Sequence, residues 1–197
     1  ESANDQKMEE SQTFLANPNE AKRCFPCKGF QCLPKSRGKM IHIAKIGKTN
    51  ILLGPHWFML LCTYAIVIGL SVVIYGVVLN DRALAERITG LVLTILVLLC
   101  LTVLGFADPG ISPISSEPVG DRDLSTFCDF CDSYRRQGTI HCNDCNVCIE
   151  DYDHHCPWSS KCIGKKNVMW FHAFLGLLFV LMVFDAVETI LVLSTEA

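Results

Sequence analysis

The stretch that decides the fold of this chain runs from Cys128 to Asn167 and reads CDFCDSYRRQGTIHCNDCNVCIEDYDHHCPWSSKCIGKKN. It begins with Cys-x2-Cys and continues, after nine residues, with His-Cys-x2-Cys-x2-Cys. Thiolates and imidazoles at this spacing are typical tetrahedral zinc ligands, and two Cys-x2-Cys pairs in one short segment are a strong signal. The spacing predicts two zinc sites in this segment.

The segment has more soft donors than two zinc sites need. It contains seven cysteines and three histidines, whereas two closed sites use eight ligands. In an extended strand side chains alternate, so His154 and Cys156 would share one face while His155 points to the other. His155 can then complete a zinc site. His154 would stand beside the Cys156 thiol, an arrangement typical of an activated nucleophile, and nearby zinc would favour the thiolate.

Outward from this segment lie three apolar runs long enough to cross a bilayer. Residues 57–79 and 88–107 contain no Asp, Glu, Lys or Arg. The 57–79 run would extend about 34 Å as a helix, against a hydrocarbon core of about 30 Å. A third run, 168–193, includes Asp185 and Glu188. These two acids share a helical face and are expected near the far interface, although an acid inside a bilayer is also a candidate functional group.

The basic residues predict the orientation of the spans. Residues 1–56 carry nine Lys or Arg and residues 108–167 carry six, whereas the 80–87 loop carries only Arg82 and Arg87. By the positive-inside rule, the N-terminus and the cysteine-rich segment are cytosolic. Thiols stay reduced there, so zinc is favoured over the alternative of a lumenal loop held by disulfides.

The composition agrees with a membrane protein. The chain has 197 residues, of which 50% are hydrophobic and 19% charged, and its net charge is −3. These values exclude an ordinary soluble globule and a disordered chain. The near-neutral charge gives no reason to expect nucleic-acid binding. Residues 1–50 show no sustained period and are expected to be largely flexible, with Cys24, Cys27 and Cys32 as free or lipid-modified thiols.

The motifs of this chain resemble the DHHC family of membrane protein S-acyltransferases, the palmitoyltransferases. The matching elements are the cysteine spacing described above, Asp-His-His-Cys at 153–156, Pro157-Trp158, Cys162, Gly164, Asn167 and Phe171. Asp108-Pro109-Gly110, directly after the second apolar run, resembles the family's Asp-Pro-Gly motif. The resemblance covers roughly residues 57–193.

The resemblance implies a fold, a set of zinc ligands and a reaction. The fold would be an all-α polytopic membrane protein, with three spans seen and a fourth expected, carrying a small cytosolic zinc-binding domain of short β-hairpins. One structural zinc would be held by Cys128, Cys131, His141 and Cys148, and the other by Cys142, Cys145, His155 and Cys162. Cys156 would take a palmitoyl group from acyl-CoA as a thioester and pass it to a protein cysteine, with His154 as base and Asp153 orienting it, in ping-pong order.

The resulting domain scheme divides the chain into a cytosolic N-terminal region 1–56, spans 57–79, 88–107 and 168–193, a far-side loop 80–87, the cysteine-rich domain 108–167 and a far-side tail 194–197. Expected partners are long-chain acyl-CoA, cytosolic or membrane-associated protein substrates and the lipid bilayer, with no nucleic acid. The expected location is the Golgi, the endoplasmic reticulum or the plasma membrane. The alternative is an inactive zinc-stabilised membrane scaffold.

The roles of three further residues stay open: Lys161, directly before Cys162, and His42 and His56, before the first span. Lys161 stands where the family commonly has asparagine. It is interpreted either as a solvated lysine on a tolerant turn or as a cation near the phosphates of acyl-CoA and lipid headgroups. His42 and His56 have no ligand partners nearby in sequence and receive no role.

Overall fold

A computed structural model describes residues 38–47, 49–80, 82–120 and 125–196. Within these ranges, three long helices pack side by side and four short hairpins lie at one end of them. The predicted thiols Cys24, Cys27 and Cys32 lie outside the described residues.

The three helices form where the apolar runs predict them. Helix α1 spans Trp57–Val73 and continues as a π-helical turn over Ile74–Val78, α2 spans Leu84–Phe106, and α3 spans Val168–Glu196. All three are long and apolar enough to cross a membrane. Helix α2 begins about one turn before the predicted run, and Glu86 in its first turn pairs with Arg82 just before the helix (2.9 Å).

The bundle has an apolar core with a few polar contacts across it. Leu60, Val97, Leu101 and Phe174 are buried between the helices, while many large apolar side chains point outward. Outward-facing apolar surface on long apolar helices is what a lipid environment requires.

Asp185 and Glu188 on α3 are both bonded to neighbours. Tyr75 donates a hydrogen bond to Asp185 (2.7 Å), and Arg82 lies 3.2 Å from the Glu188 carboxylate. These contacts join α3 to the end of α1 and the start of α2. The acids therefore tie the helices together at the end away from the hairpins.

Four antiparallel hairpins and a short 3-10 helix at Pro157–Ser159 make up the remaining regular structure of the described residues. Strands β1 (Ile41–Ile46) and β2 (Thr49–Leu53) pair before α1. The other three pairs are β3 (Thr126–Cys128) with β4 (Ser133–Arg135), β5 (Ile140–Cys142) with β6 (Val147–Ile149), and β7 (His154–Cys156) with β8 (Lys161–Ile163). The predicted class, a helical membrane protein with a domain of short β-hairpins, is confirmed.

The first hairpin gives the last part of the 1–50 region, which was expected to be largely flexible, a regular structure from Ile41 onward. Over 41–53 the chain is a paired hairpin with a bulge between His42 and Ala44. Its ordering comes from tertiary contacts, because Met40 and Leu52 are buried beside Cys145 and Cys162 and the Lys39 N–H donates to the Cys145 carbonyl (2.9 Å).

Candidate zinc and acyl-transfer site

The first cluster of donors joins the hairpins β3–β4 and β5–β6. Cys128, Cys131, His141 and Cys148 bring one ligand atom each to within 4.8 Å of the others. His141 Nδ1 lies 3.3 Å from Cys131 Sγ and 3.7 Å and 3.8 Å from the sulfurs of Cys128 and Cys148. The edges of a tetrahedral zinc site with these ligands are about 3.5–3.8 Å long. This first quartet therefore fits zinc.

The second cluster joins β5–β6 to β7–β8. Cys142, Cys145, His155 and Cys162 also have ligand atoms within 4.8 Å of one another. His155 Nδ1 lies 3.4–3.5 Å from all three sulfurs, and Cys162 Sγ lies 3.5 Å from Cys145 Sγ. This second quartet fits zinc by the same test. With four protein ligands in each quartet, a bound ion would have no open position and would serve structure.

The surroundings of these thiols shift their pKa values in opposite directions. Burial raises the pKa of the Cys148 thiol to about 12, whereas hydrogen bonds from Cys145 and Cys162 hold the pKa of Cys142 well below its usual range. A divalent cation favours the thiolate at every ligand sulfur, so binding it releases protons and becomes weaker as the pH falls.

The register of β7 and β8 determines which side chains face the second quartet. His155 pairs with Cys162, while Cys156 pairs with Lys161 and His154 with Ile163. Cross-strand partners lie on one face, so His155 and Cys162 both reach the quartet. His154 and Cys156 belong to the alternate face, as the alternation argument predicts.

Cys156 lies outside both quartets. Its side chain is half-buried against the core cluster of the helix bundle that includes Leu60, Ile163 and Phe174. The three hairpins between Thr126 and Ile163 are called the hairpin domain. Cys156 places a free thiol where this hairpin domain meets the membrane helices.

His154 has two neighbours that hold its ring. Its Nδ1 lies 3.5 Å from Asp153 Oδ2, and its ring lies edge-on to Phe171 with the centroids 5.0 Å apart. In the part of the chain that the structure describes, His154 makes no hydrogen bond to Cys156 Sγ; the two residues share a strand face at i, i+2. Catalytic hydrogen bonds are often long before substrate binds.

Lys161 corrects both interpretations drawn from the sequence. Its side chain is fully buried, at 0% exposure, and its ammonium donates to the backbone carbonyls of Leu52 and Gly105. Gly105 lies at the end of α2, where helix carbonyls lack partners and the dipole attracts a cation. Lys161 is therefore neither solvated nor free to meet phosphates, and burial lowers its pKa to about 7.

Asp108 of the Asp-Pro-Gly motif braces the junction of α2 with the hairpin domain. Its carboxylate accepts hydrogen bonds from the N–H groups of Gly110 (2.8 Å) and Ile111 (3.2 Å) and from Lys166 Nζ (3.0 Å). Burial raises its pKa, but these bonds outweigh burial and hold the pKa below its usual value. In the Asp-Pro-Gly motif, the Asp108 carboxylate therefore joins the end of α2 to the residues that follow it and to Lys166.

His56 is the residue that sequence reasoning missed. Its Nδ1 lies 2.9 Å from Nε2 of His155, the histidine of the second quartet. The two residues are distant in sequence, and no spacing pattern relates a histidine before an apolar run to a cysteine-rich segment. Only the tertiary contact shows the connection.

Comparison with known proteins agrees with this geometry. Residues 121–197 match the family model of the DHHC palmitoyltransferases. Palmitoyltransferase ZDHHC8 of Drosophila melanogaster is 38% identical over 101 residues, which are 43% of this chain and 11% of that protein. Palmitoyltransferase ZDHHC18 of Mus musculus is 30% identical over 120 residues, 47% of this chain and 32% of that protein. The chain thus spans less than a third of the length of these curated relatives.

Proposed function

Because residues 121–197 match the family model of the DHHC palmitoyltransferases, we propose that this chain is a protein S-acyltransferase that uses Cys156 as its nucleophile. The observation that carries the proposal is the position of this thiol. Of the cysteines between Cys128 and Cys162, it alone belongs to neither quartet, and it packs against the core of the membrane bundle. A fatty acyl chain in the bilayer and a nucleophile facing the cytosol can meet there.

The proposed reaction has two transfers. In the first, His154 takes the proton of Cys156 and Sγ attacks the thioester carbon of a long-chain acyl-CoA; the bond from that carbon to the CoA sulfur breaks, and His154 gives the proton to the leaving thiolate. In the second, His154 takes the proton of a substrate cysteine, whose sulfur attacks the acyl-Cys156 carbon; the bond to Sγ breaks and the proton returns to Cys156, which gives ping-pong kinetics. Asp153 orients His154 and stabilises its protonated form.

The two quartets would support this reaction by holding the strand that carries the reacting residues in place. Zinc in the second quartet would fix the ring of His155, which lies between His154 and Cys156 on β7. The ions themselves take part in no step. The proposal also keeps the predicted topology, with the N-terminus and hairpin domain in the cytosol of an endomembrane or plasma-membrane protein whose partners are acyl-CoA and substrate proteins.

The test is acyl labelling of the intact chain in detergent with a clickable palmitoyl-CoA. We expect hydroxylamine-sensitive label on the wild type and none on Cys156→Ser, while Cys62→Ser, a matched loss of an exposed free cysteine, keeps the label. His154→Ala should slow labelling about 10²–10⁴-fold, as loss of a general base does.

A zinc-stabilised scaffold without chemistry is the alternative, and the missing hydrogen bond between His154 and Cys156 in the described chain favours it. An unlabelled wild type that still contains zinc would support the scaffold and contradict the acyltransferase. Hydroxylamine-sensitive label that persists on Cys156→Ser would show that another thiol is acylated and would contradict Cys156 as the nucleophile.

A further inference from the structure

The start of helix α1 is fastened to the turn that follows strand β7. The Gly54 N–H donates to Ser160 Oγ and the His56 N–H donates to the Ser160 carbonyl, both at 3.2 Å. About two turns further along α1, Thr63 Oγ1 donates to the Trp158 carbonyl (3.0 Å). These bonds bring the His56 side chain to the outer side of the second quartet.

At this position one ring nitrogen of His56 faces one ring nitrogen of His155. His56 Nδ1 lies 2.9 Å from His155 Nε2, and the ring centroids are 5.0 Å apart with the planes at 70°. The other nitrogen of His155, Nδ1, faces the three sulfurs of the quartet. Each ring nitrogen of His155 therefore has one distinct set of partners.

The chemistry of imidazole assigns the protons in this contact. A histidine that binds a metal through Nδ1 carries its proton on Nε2 and donates it to an acceptor. With a metal on Nδ1 of His155, the acceptor would be Nδ1 of His56, 2.9 Å away. Such an outer hydrogen bond keeps the ligand ring oriented and raises its basicity toward the metal.

The first quartet lacks the equivalent contact. His141 Nε2 is buried and, among the described residues, has no hydrogen-bond partner. Its ring is instead stacked on Phe130 with the centroids 4.9 Å apart. The two quartets have the same ligand types but differ in the support given to their histidine.

From this difference we propose that His56 is a positioning residue that holds the His155 ring, so that the first membrane helix stabilises metal binding at the second quartet and not at the first. Loss of the outer partner of a metal-binding histidine typically weakens metal affinity about 10–100-fold. Because His155 lies between His154 and Cys156, the same contact positions the nucleophile strand. That second consequence rests on the proposed acyl transfer; the metal effect does not.

The experiment follows metal release site by site. The intact zinc-loaded chain in detergent is mixed with a chelator and a thiol-alkylating reagent, and mass spectrometry records which cysteines become modified with time. The variants are His56→Phe, which keeps the ring and removes the acceptor, and His56→Asn, whose amide oxygen can replace Nδ1 as acceptor. His42→Phe is the control, since His42 lies in β1 outside both quartets.

We expect His56→Phe to speed modification of Cys142, Cys145 and Cys162 about 10–100-fold and to leave Cys128, Cys131 and Cys148 at the wild-type rate. His56→Asn and His42→Phe should follow the wild type at both quartets. Equal acceleration at both quartets in His56→Phe would reveal a general loss of folding and overturn the proposal, as would unchanged rates at both. A wild type that binds no zinc at the second quartet would overturn it too. A chain that shows the expected release but no acyl label would contradict only the acyltransferase.

Discussion

At the scale of single residues, neighbours on one strand have different partners. His155 and Cys162 are cross-strand partners that face the second quartet, whereas His154 contacts Asp153 and Phe171. The physical cause is the two-residue repeat of a β-strand, which turns adjacent side chains to opposite faces. A one-residue slip of β7 would exchange the two histidines.

The buried ammonium of Lys161 should make stability depend on pH. Its pKa is lowered from 10.5 to about 7 by burial. Between these two values the unfolded chain binds a proton that the folded chain does not, so stability rises with pH across this window. The rise, on the order of a few kcal/mol, should be absent from Lys161→Met. The measurement is the thermal midpoint in detergent from pH 7 to 10, by tryptophan fluorescence.

Lys165→Met is the matched control for this profile. The Lys165 side chain is 45% exposed and pairs with Glu150 at the surface (3.1 Å), so its loss should leave the rise with pH as in the wild type. Parallel profiles for wild type and Lys161→Met would contradict a buried, titrating Lys161.

At the scale of elements, the hairpin β1–β2, the start of α1 and the turn after β7 form one junction. Ser160 adopts a left-handed conformation (φ 78°) at this turn and binds the backbone of Gly54 and His56. Lys161, the next residue, bonds to Leu52 in β2 and to Gly105 in α2. The β7–β8 hairpin that carries Cys156 is thus held by β2, by the start of α1 and by the end of α2.

Gly54 is the tightest point of this junction. A Cβ at Gly54 would overlap the Ser160 carbonyl and come within 2.5 Å of Lys161 Cβ. Gly54→Ala should therefore destabilise the protein by about 1–3 kcal/mol, the usual cost of overpacking, which would lower the thermal midpoint in detergent. Acyl labelling of Cys156 should fall with it.

Gly69→Ala is the corresponding control, because a Cβ on Gly69 in α1 meets nothing within 4 Å. It should leave both the thermal midpoint and the labelling close to wild type. If Gly54→Ala behaved like Gly69→Ala, this result would contradict the close approach of Gly54 to Ser160 and Lys161.

At the scale of the whole molecule, the helix bundle and the hairpin domain are stabilised in different ways. The helices satisfy their own backbone hydrogen bonds and suit a bilayer. The three hairpins between Thr126 and Ile163 have strands of only three residues, and such hairpins have marginal stability in water without a metal or a large core. The hairpin domain should therefore depend on zinc while the bundle does not.

Removal of zinc should unfold the hairpin domain and leave the helix bundle folded. After chelation in detergent, we expect proteolysis to cut within residues 125–167, while far-UV circular dichroism keeps the helical signal. Added zinc should restore protection and added magnesium should not, because thiolates select the softer ion. A cysteine-rich segment that resists protease after complete metal removal would contradict this prediction.

The three membrane helices could be predicted from the amino-acid sequence, because apolar runs of that length are visible without any tertiary information. The sequence also shows more thiol and imidazole donors than two zinc sites need as ligands. The alternation of side chains along a strand distinguishes His155 from His154. The hairpin at 41–53, the burial of Lys161 and the contact of His56 with His155 were decided by tertiary structure alone. Each joins residues far apart in the chain, where no local period or spacing can signal the partner, and their free energy comes from groups that meet only after folding.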